Sequence, residues 1–277
     1  MVFTSVLEAI ILGSAQGLTE FLPVSSTAHL VVLQHVFGLD QRTYGLSFDM
    51  FANLGTTLAL IWFFREDLAT LVRRLRLPKE GAPLSIAEKV PWWILSVTII
   101  VGATGYLLEH LIASTFRSLP LIAGMLVFFG IVMLLAEKYA ATHPRTTALS
   151  ATRAYGVGLA QIIAFVPGVS RSGATISTGL FLGLTREEAA RFSFLLSVPI
   201  TLAAIGKRMV TVAGDFAVNP PSADVILFYM AGLISAGVVG YFSIRFLLTY
   251  LRTSSLAAFS YYRFALAAAI LVYLAIR

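Results

Sequence analysis

The chain has 277 residues, of which 58% are hydrophobic and only 12% charged, with a mean hydropathy of +0.85. That balance excludes an ordinary soluble domain and points to a polytopic membrane protein. The net charge of +6 suits basic loops at a membrane better than a nucleic-acid partner, and the absence of cysteine excludes disulfides and thiolate metal sites.

Residues 3–37 open with two short apolar pieces around a polar centre rich in Gly, Pro and Ser. No basic stretch precedes the first piece and Glu8 interrupts it, so no cleaved signal peptide is expected. Pieces of about 12 residues are too short to cross a bilayer and suit a re-entrant hairpin. At its centre, Gln16 and Glu20 lie one helical turn apart and share a face. Pro23 is expected to end that helix, with Ser25, Ser26 and Thr27 capping the next and His29 in or near its first turn. A carboxylate, a hydroxyl and an imidazole thus meet at one break. Read blandly, the hydroxyls are only caps and His29 is a structural histidine. The four histidines, His29, His35, His110 and His143, make no H-x-x-x-H pair, which argues against a zinc hydrolase.

Apolar spans of roughly 20 residues follow near 44–64, 90–108 and 118–136. Asp49 and Asn53 sit four apart in the first of these, lining either a site or the interface. The aromatics, twenty Phe among them, are expected to face mostly lipid. Residues 153–184 repeat the broken-hairpin pattern around Pro167-Gly168-Val169-Ser170-Arg171-Ser172-Gly173-Ala174-Thr175. An arginine at membrane depth is costly and marks function by default, although it also suits a plain counter-ion for Glu20. Flanked by Gly and Ser, it reads as an anion site, with phosphate the anion of that geometry. Spans near 188–207, 224–244 and 257–276 complete the chain, the first opened by a capping-box pattern at Thr185-Arg186-Glu187-Glu188.

At an offset of 145, Gln16 matches Gln161, Val24-Ser25 matches Val169-Ser170, Thr27 matches Ser172 and Ala28 matches Gly173. Each half therefore reads as a broken hairpin plus three spans, repeat 1 about 1–140 and repeat 2 about 150–277, within one integral membrane domain. Three spans is an odd number, so the second half is inverted relative to the first. Thirteen basic residues fall on one side, among them Arg73, Arg74, Lys138 and Arg186, against five on the other: Arg42, Arg117, Lys207, Arg208 and Arg277. The richer side is expected in the cytoplasm, with both termini outside.

The motifs resemble those of the undecaprenyl-diphosphate phosphatases, the bacitracin-resistance family of integral membrane proteins. The resemblance rests on Gln16-x-x-x-Glu20, His29, the nine residues Pro167 to Thr175, Phe192 to Pro199, and Tyr262-Arg263-Phe264. It implies an all-α inverted repeat with two re-entrant helical hairpins and about six full spans. It also implies hydrolysis of a C55 polyprenyl diphosphate to the monophosphate and inorganic phosphate, which recycles the lipid carrier of peptidoglycan. A site open to the outer face of the cytoplasmic membrane and a divalent cation, Mg²⁺ or Ca²⁺, come with the resemblance. The expected roles are diphosphate binding by Arg171, Ser170, Ser172, Gly173, Thr175, Ser25 and Thr27, and cation binding by Glu20 and Gln16. Attack comes either from Ser26 with His29 as base or from water activated by His29. Gln16, where many members carry Glu, is expected to weaken the cation site. The partners are the polyprenyl diphosphate and membrane lipids, with a homodimer as one allowed assembly. The rival reading is a lipid-phosphate transporter or flippase using the same anion site.

Overall fold

The computed structural model describes residues 2–36, 38, 46–75, 84–115 and 118–276. Within them the chain forms eleven helices: α1 (Val2–Phe21), α2 (Ser26–Val36), α3 (Leu46–Phe63), α4 (Arg65–Arg74), α5 (Ile86–Thr115), α6 (Leu119–Thr142), α7 (Ala151–Ile163), α8 (Arg171–Phe181), α9 (Arg186–Val218), α10 (Ala223–Thr253) and α11 (Ala257–Ala275). Helix is what an apolar chain must adopt in lipid, because it satisfies every backbone donor and acceptor locally.

Helices α5, α6, α9, α10 and α11 are each long and apolar enough to cross a membrane, and α3 joins them when taken with α4, from which it bends by 75°. The protein is therefore a multi-pass membrane protein, and all six expected spans are present as helices. Three run well past expectation, α5 to 30 residues, α9 to 33 and α10 to 31. The first hairpin departs from expectation in the same direction. Helix α1 has 20 residues rather than about 12 and passes straight through Glu8, which is a good helix former. The second hairpin keeps two short arms of 13 and 11 residues.

Small residues set how closely the helices approach. Gly13 and Gly17 of α1 lie against Gly232, Ala236 and Gly240 of α10, where a Cβ on Gly17 would stand 2.6 Å from the Ala236 carbonyl oxygen. Gly55 of α3 faces the Leu233 carbonyl of α10 just as tightly. Close backbone approach through small residues is the main means of helix association where lipid removes the hydrophobic drive. Replacing Gly55 by Leu is expected to push α3 off α10 and cost about 1–3 kcal/mol. Thermal unfolding in detergent reads this directly, and an unchanged midpoint would contradict the packing.

Most of the described aromatic rings keep some exposure, as expected, but a set of phenylalanines fills the interior. Phe21, Phe48, Phe64, Phe192 and Phe194 are all buried, and Phe21 meets Phe194 edge-on at 5.5 Å. The start of α9 is tied to three other helices by ion pairs. Arg186 forks onto Glu137 of α6, Arg191 reaches Asp67 of α4, and Glu187 receives Arg252 of α10. Thr185 caps α9 by accepting the Glu188 amide at 3.3 Å, as expected. All of these arginines belong to the basic-rich side. Arg42, Arg76, Lys79, Arg117 and Arg277, which also entered that comparison, lie outside the described residues.

Candidate active site

The site forms where two chain breaks meet. In the first, α1 ends at Phe21, a tight turn runs through Pro23, and Ser25 precedes α2 with its hydroxyl 3.4 Å from the Ala28 amide. In the second, Gly168 turns the chain at φ +95°, and Ser170 caps α8 by accepting the Gly173 amide at 3.2 Å. A side chain on Gly168 would meet the Ile122 carbonyl, so glycine is required there by both space and backbone. Among the described residues, Ser25 (φ +74°) and Ser170 (φ +71°) are the non-glycine residues with positive φ, and they stand 145 positions apart. A non-glycine residue held there costs of order 1–3 kcal/mol and persists where its surroundings determine it.

Arg263 of α11 determines both turns together. It is fully buried and donates to the carbonyls of Pro23 (3.3 Å), Gly168 (2.6 Å), Leu126 (3.1 Å) and Met125 (3.2 Å). The first two carbonyls belong to the two breaks, so one guanidinium clasps them against each other. Ser172 adds a direct link, donating to the Leu22 carbonyl at 3.2 Å.

With the breaks clasped, Arg171 reaches Glu20. A guanidinium nitrogen lies 2.5 Å from Glu20 Oε1, and the other arm donates to the hydroxyl of Thr201 on α9. Glu20 Oε2 accepts from Ser26 Oγ (2.7 Å) and from Gln16 Nε2 (3.0 Å). That same Gln16 nitrogen also reaches Asn53 Oδ1 of α3 at 3.2 Å. Gln16 is buried, and its Oε1 has no hydrogen-bond partner among the described residues. Glu20, Gln16, Ser26 and Arg171 are thus one connected group.

His29 stands beside this group with both ring nitrogens engaged. Nδ1 lies 2.8 Å from the Ser25 carbonyl oxygen, which can only accept, so Nδ1 carries the hydrogen. Nε2 is then the basic nitrogen, and it receives the Tyr262 hydroxyl at 2.7 Å, the two rings lying 6° from parallel. The expected Ser26–His29 pair is therefore replaced. Ser26 donates to Glu20, and the imidazole lone pair faces Tyr262.

The remaining expected ligands divide by burial. Thr175 is fully buried, its hydroxyl shared between the Arg171 carbonyl (2.7 Å) and Ser193 Oγ (2.5 Å). Ser170 and Ser172 are buried against each other at 3.1 Å. These three brace the loop behind Arg171. Ser25 and Gly173 are buried as well, whereas Thr27 is exposed. Asn53, Thr201, Tyr262 and Arg263 join the site without having been assigned to it from sequence. An arginine within an apolar span was the available signal for Arg263. Asn53 was visible only as one half of the Asp49–Asn53 pair, Tyr262 only as part of the Tyr262-Arg263-Phe264 motif, and nothing local marked Thr201.

The oxygens around Glu20 fit a hard divalent cation on their donor chemistry. They comprise a carboxylate, the unpartnered Gln16 Oε1 and the nearby Asn53 amide oxygen. Their charge is low, since the described residues hold no cluster of three acidic, histidine or cysteine side chains.

Residues 9–269, which contain every one of these side chains, match the family described as bacitracin resistance protein BacA. The chain is 44% identical over 264 residues to an undecaprenyl-diphosphatase of Rubrobacter xylanophilus, covering 95% of this chain and 96% of that one. It is 39% identical to the undecaprenyl-diphosphatase of Geobacter metallireducens, covering 97% and 98%. It is 42% identical to that of Anaeromyxobacter dehalogenans, covering 96% and 90%. With the match running through both breaks and the helices that close on them, the chain belongs to the bacitracin resistance protein BacA family.

Proposed function

We propose that this protein hydrolyses undecaprenyl diphosphate to undecaprenyl phosphate and inorganic phosphate, as the names of its relatives describe, and so recycles the lipid carrier of envelope glycan synthesis. The observation that carries the reading is the Arg171–Glu20–Ser26 connection, a guanidinium fork held ready by the carboxylate that an incoming phosphate would displace. The fork matches two phosphate oxygens, and it stands at the N-terminus of α8, where the helix dipole favours an anion. Ser170, Ser172, Gly173 and Thr175 hold that loop in shape, while Ser25, Ser26 and Thr27 line the facing turn.

Glu20 and Gln16 would hold the cation, Mg²⁺ or Ca²⁺. When bound, it would neutralise charge on the diphosphate, which is most of what phosphoryl transfer requires. In the resting site Glu20 is occupied by Arg171. A diphosphate that takes the guanidinium would free this carboxylate to serve as a cation ligand. His29 serves as proton acceptor through Nε2, and water is the attacking group. Ser26, pointed at Glu20, steadies the carboxylate and the phosphate.

The matched serines at 25 and 170, and the carbonyls of residues 23 and 168 sharing Arg263, support an inverted repeat. In that arrangement α1–α2 and α7–α8 are the re-entrant hairpins of halves 1–140 and 150–277. The basic-rich end of α9 is assigned to the cytoplasm, and the site to the outer face of the cytoplasmic membrane. A homodimer remains compatible with this placement.

The test is phosphate release from undecaprenyl diphosphate by the purified protein in detergent. Release with Mg²⁺ or Ca²⁺ that is abolished by chelator is the expected outcome. Lipid binding without release in protein that unfolds cooperatively would overturn the hydrolase in favour of a lipid-phosphate carrier.

A further inference from the structure

Tyr262 stands apart from the charged group yet makes the one contact that matters for proton transfer. Its hydroxyl sits 2.7 Å from His29 Nε2, the nitrogen left basic once Nδ1 is fixed on the Ser25 carbonyl. The parallel rings hold it there, and Tyr262 itself is half exposed on α11. Its neighbour Arg263 is locked onto both chain breaks, so the tyrosine is delivered by the same turn of helix that fixes the site. A phenol that donates to imidazole keeps its oxygen lone pairs free to accept from a third group. Nε2 has one lone pair and the Tyr262 hydroxyl occupies it, so a water would reach the base through this oxygen.

We propose that Tyr262 is the proton relay of the site, carrying the proton of the attacking water to His29 Nε2. The inference rests on the phosphatase reading above. In the step, the water oxygen forms a bond to the terminal phosphorus while the bridging P–O bond breaks. The polyprenyl monophosphate leaves with the electron pair. The proton of the water passes to the Tyr262 oxygen as the phenolic proton passes to Nε2. Tyrosine ends neutral and imidazole ends as imidazolium, which returns its proton to bulk water after inorganic phosphate departs.

The experiment compares wild type, Tyr262→Phe, His29→Ala and the double variant in metal-dependent phosphate release from undecaprenyl diphosphate. Phenylalanine keeps the ring and its stacking, so the fold is retained and the thermal midpoint is expected to stay unchanged. Turnover of Tyr262→Phe is expected to fall roughly 100-fold with KM unchanged, as for loss of an acid–base group. The double variant should be no slower than His29→Ala alone, and the solvent deuterium isotope effect of wild type should shrink in Tyr262→Phe. Unchanged turnover in Tyr262→Phe, multiplied losses in the double variant, or a loss confined to KM would each overturn the relay. ¹⁵N-histidine spectra supply a second measurement independent of activity. A proton found on Nε2 of His29 in the resting protein would also overturn it. An inactive wild type would instead defeat the phosphatase reading, whereas an active wild type with a fully active Tyr262→Phe defeats the relay alone.

Discussion

Replacing Arg171 by lysine is expected to lower turnover by roughly 100- to 1,000-fold, the range seen when a preorganised donor to a charged transition state is lost. Charge alone does not explain the arginine. Its two arms point in different directions, one to Glu20 at 2.5 Å and one to Thr201 on α9. A planar fork holds both at once, and when a phosphate displaces Glu20 the same fork presents two parallel donors. Lysine offers a single compact ammonium at the end of a flexible stem, so it satisfies Glu20 and leaves Thr201. The lysine variant is the informative one because alanine would also strand Glu20, whose side chain is only 12% exposed, without a counter-charge. The measurement is steady-state phosphate release alongside a thermal midpoint. An Arg171→Lys variant that turned over within a few-fold of wild type would take Arg171 out of the phosphate site.

Much of this arrangement was legible because the signals that build it are local. Pro23 and the Pro167-Gly168 pair announce the two breaks, and the serines after them announce caps, each through a backbone effect confined to a few residues. Gln16 and Glu20 meet because a helix places residues four apart on one face, and the 3.0 Å contact follows. The offset of 145 that pairs Ser25 with Ser170 in sequence also pairs the two serines of positive φ.

What stayed hidden depends on geometry between segments. Ser26 was paired with His29 by proximity in sequence, yet the turn at 22–25 folds it back onto Glu20. The imidazole is directed by its contacts to the Ser25 carbonyl and the Tyr262 hydroxyl, which neither residue announces in sequence. Tyr262 reaches His29 across 233 positions. Thr201 reaches Arg171 across 30, from a helix whose sequence around it reads as plain membrane span. The two breaks share a positive φ at Ser25 and Ser170, whereas Pro23 stands where Gly168 turns at φ +95°, and their side chains differ. Positions equivalent to Glu20, Ser26 and His29 hold Phe165, Arg171 and Ala174. Under the proposed function, one break would supply the proton acceptor and the carboxylate, and the other the anion clamp.

That division sharpens the second large expectation. His29→Ala should reduce turnover by roughly 100- to 10,000-fold, while Ser26→Ala should cost only about 10-fold. The order follows from where the hydrogens point. Ser26 directs its hydroxyl at a carboxylate already held by Arg171, so its proton has no free base nearby until substrate binds. His29 is turned the other way, with its hydrogen fixed on Ser25 and its lone pair towards Tyr262 and open surface. A base aimed away from the serine suits activation of water, and direct attack by water needs no phosphoserine. Rapid quenching with ³²P-labelled diphosphate separates the routes, since a covalent route would leave label on the protein. Label on Ser26, together with a Ser26→Ala loss as deep as that of His29→Ala, would make the serine the nucleophile and Glu20 its proton acceptor. Freedom from label with the predicted order of losses fixes water as the nucleophile and leaves Ser26 to steady Glu20 while substrate exchanges with it for Arg171.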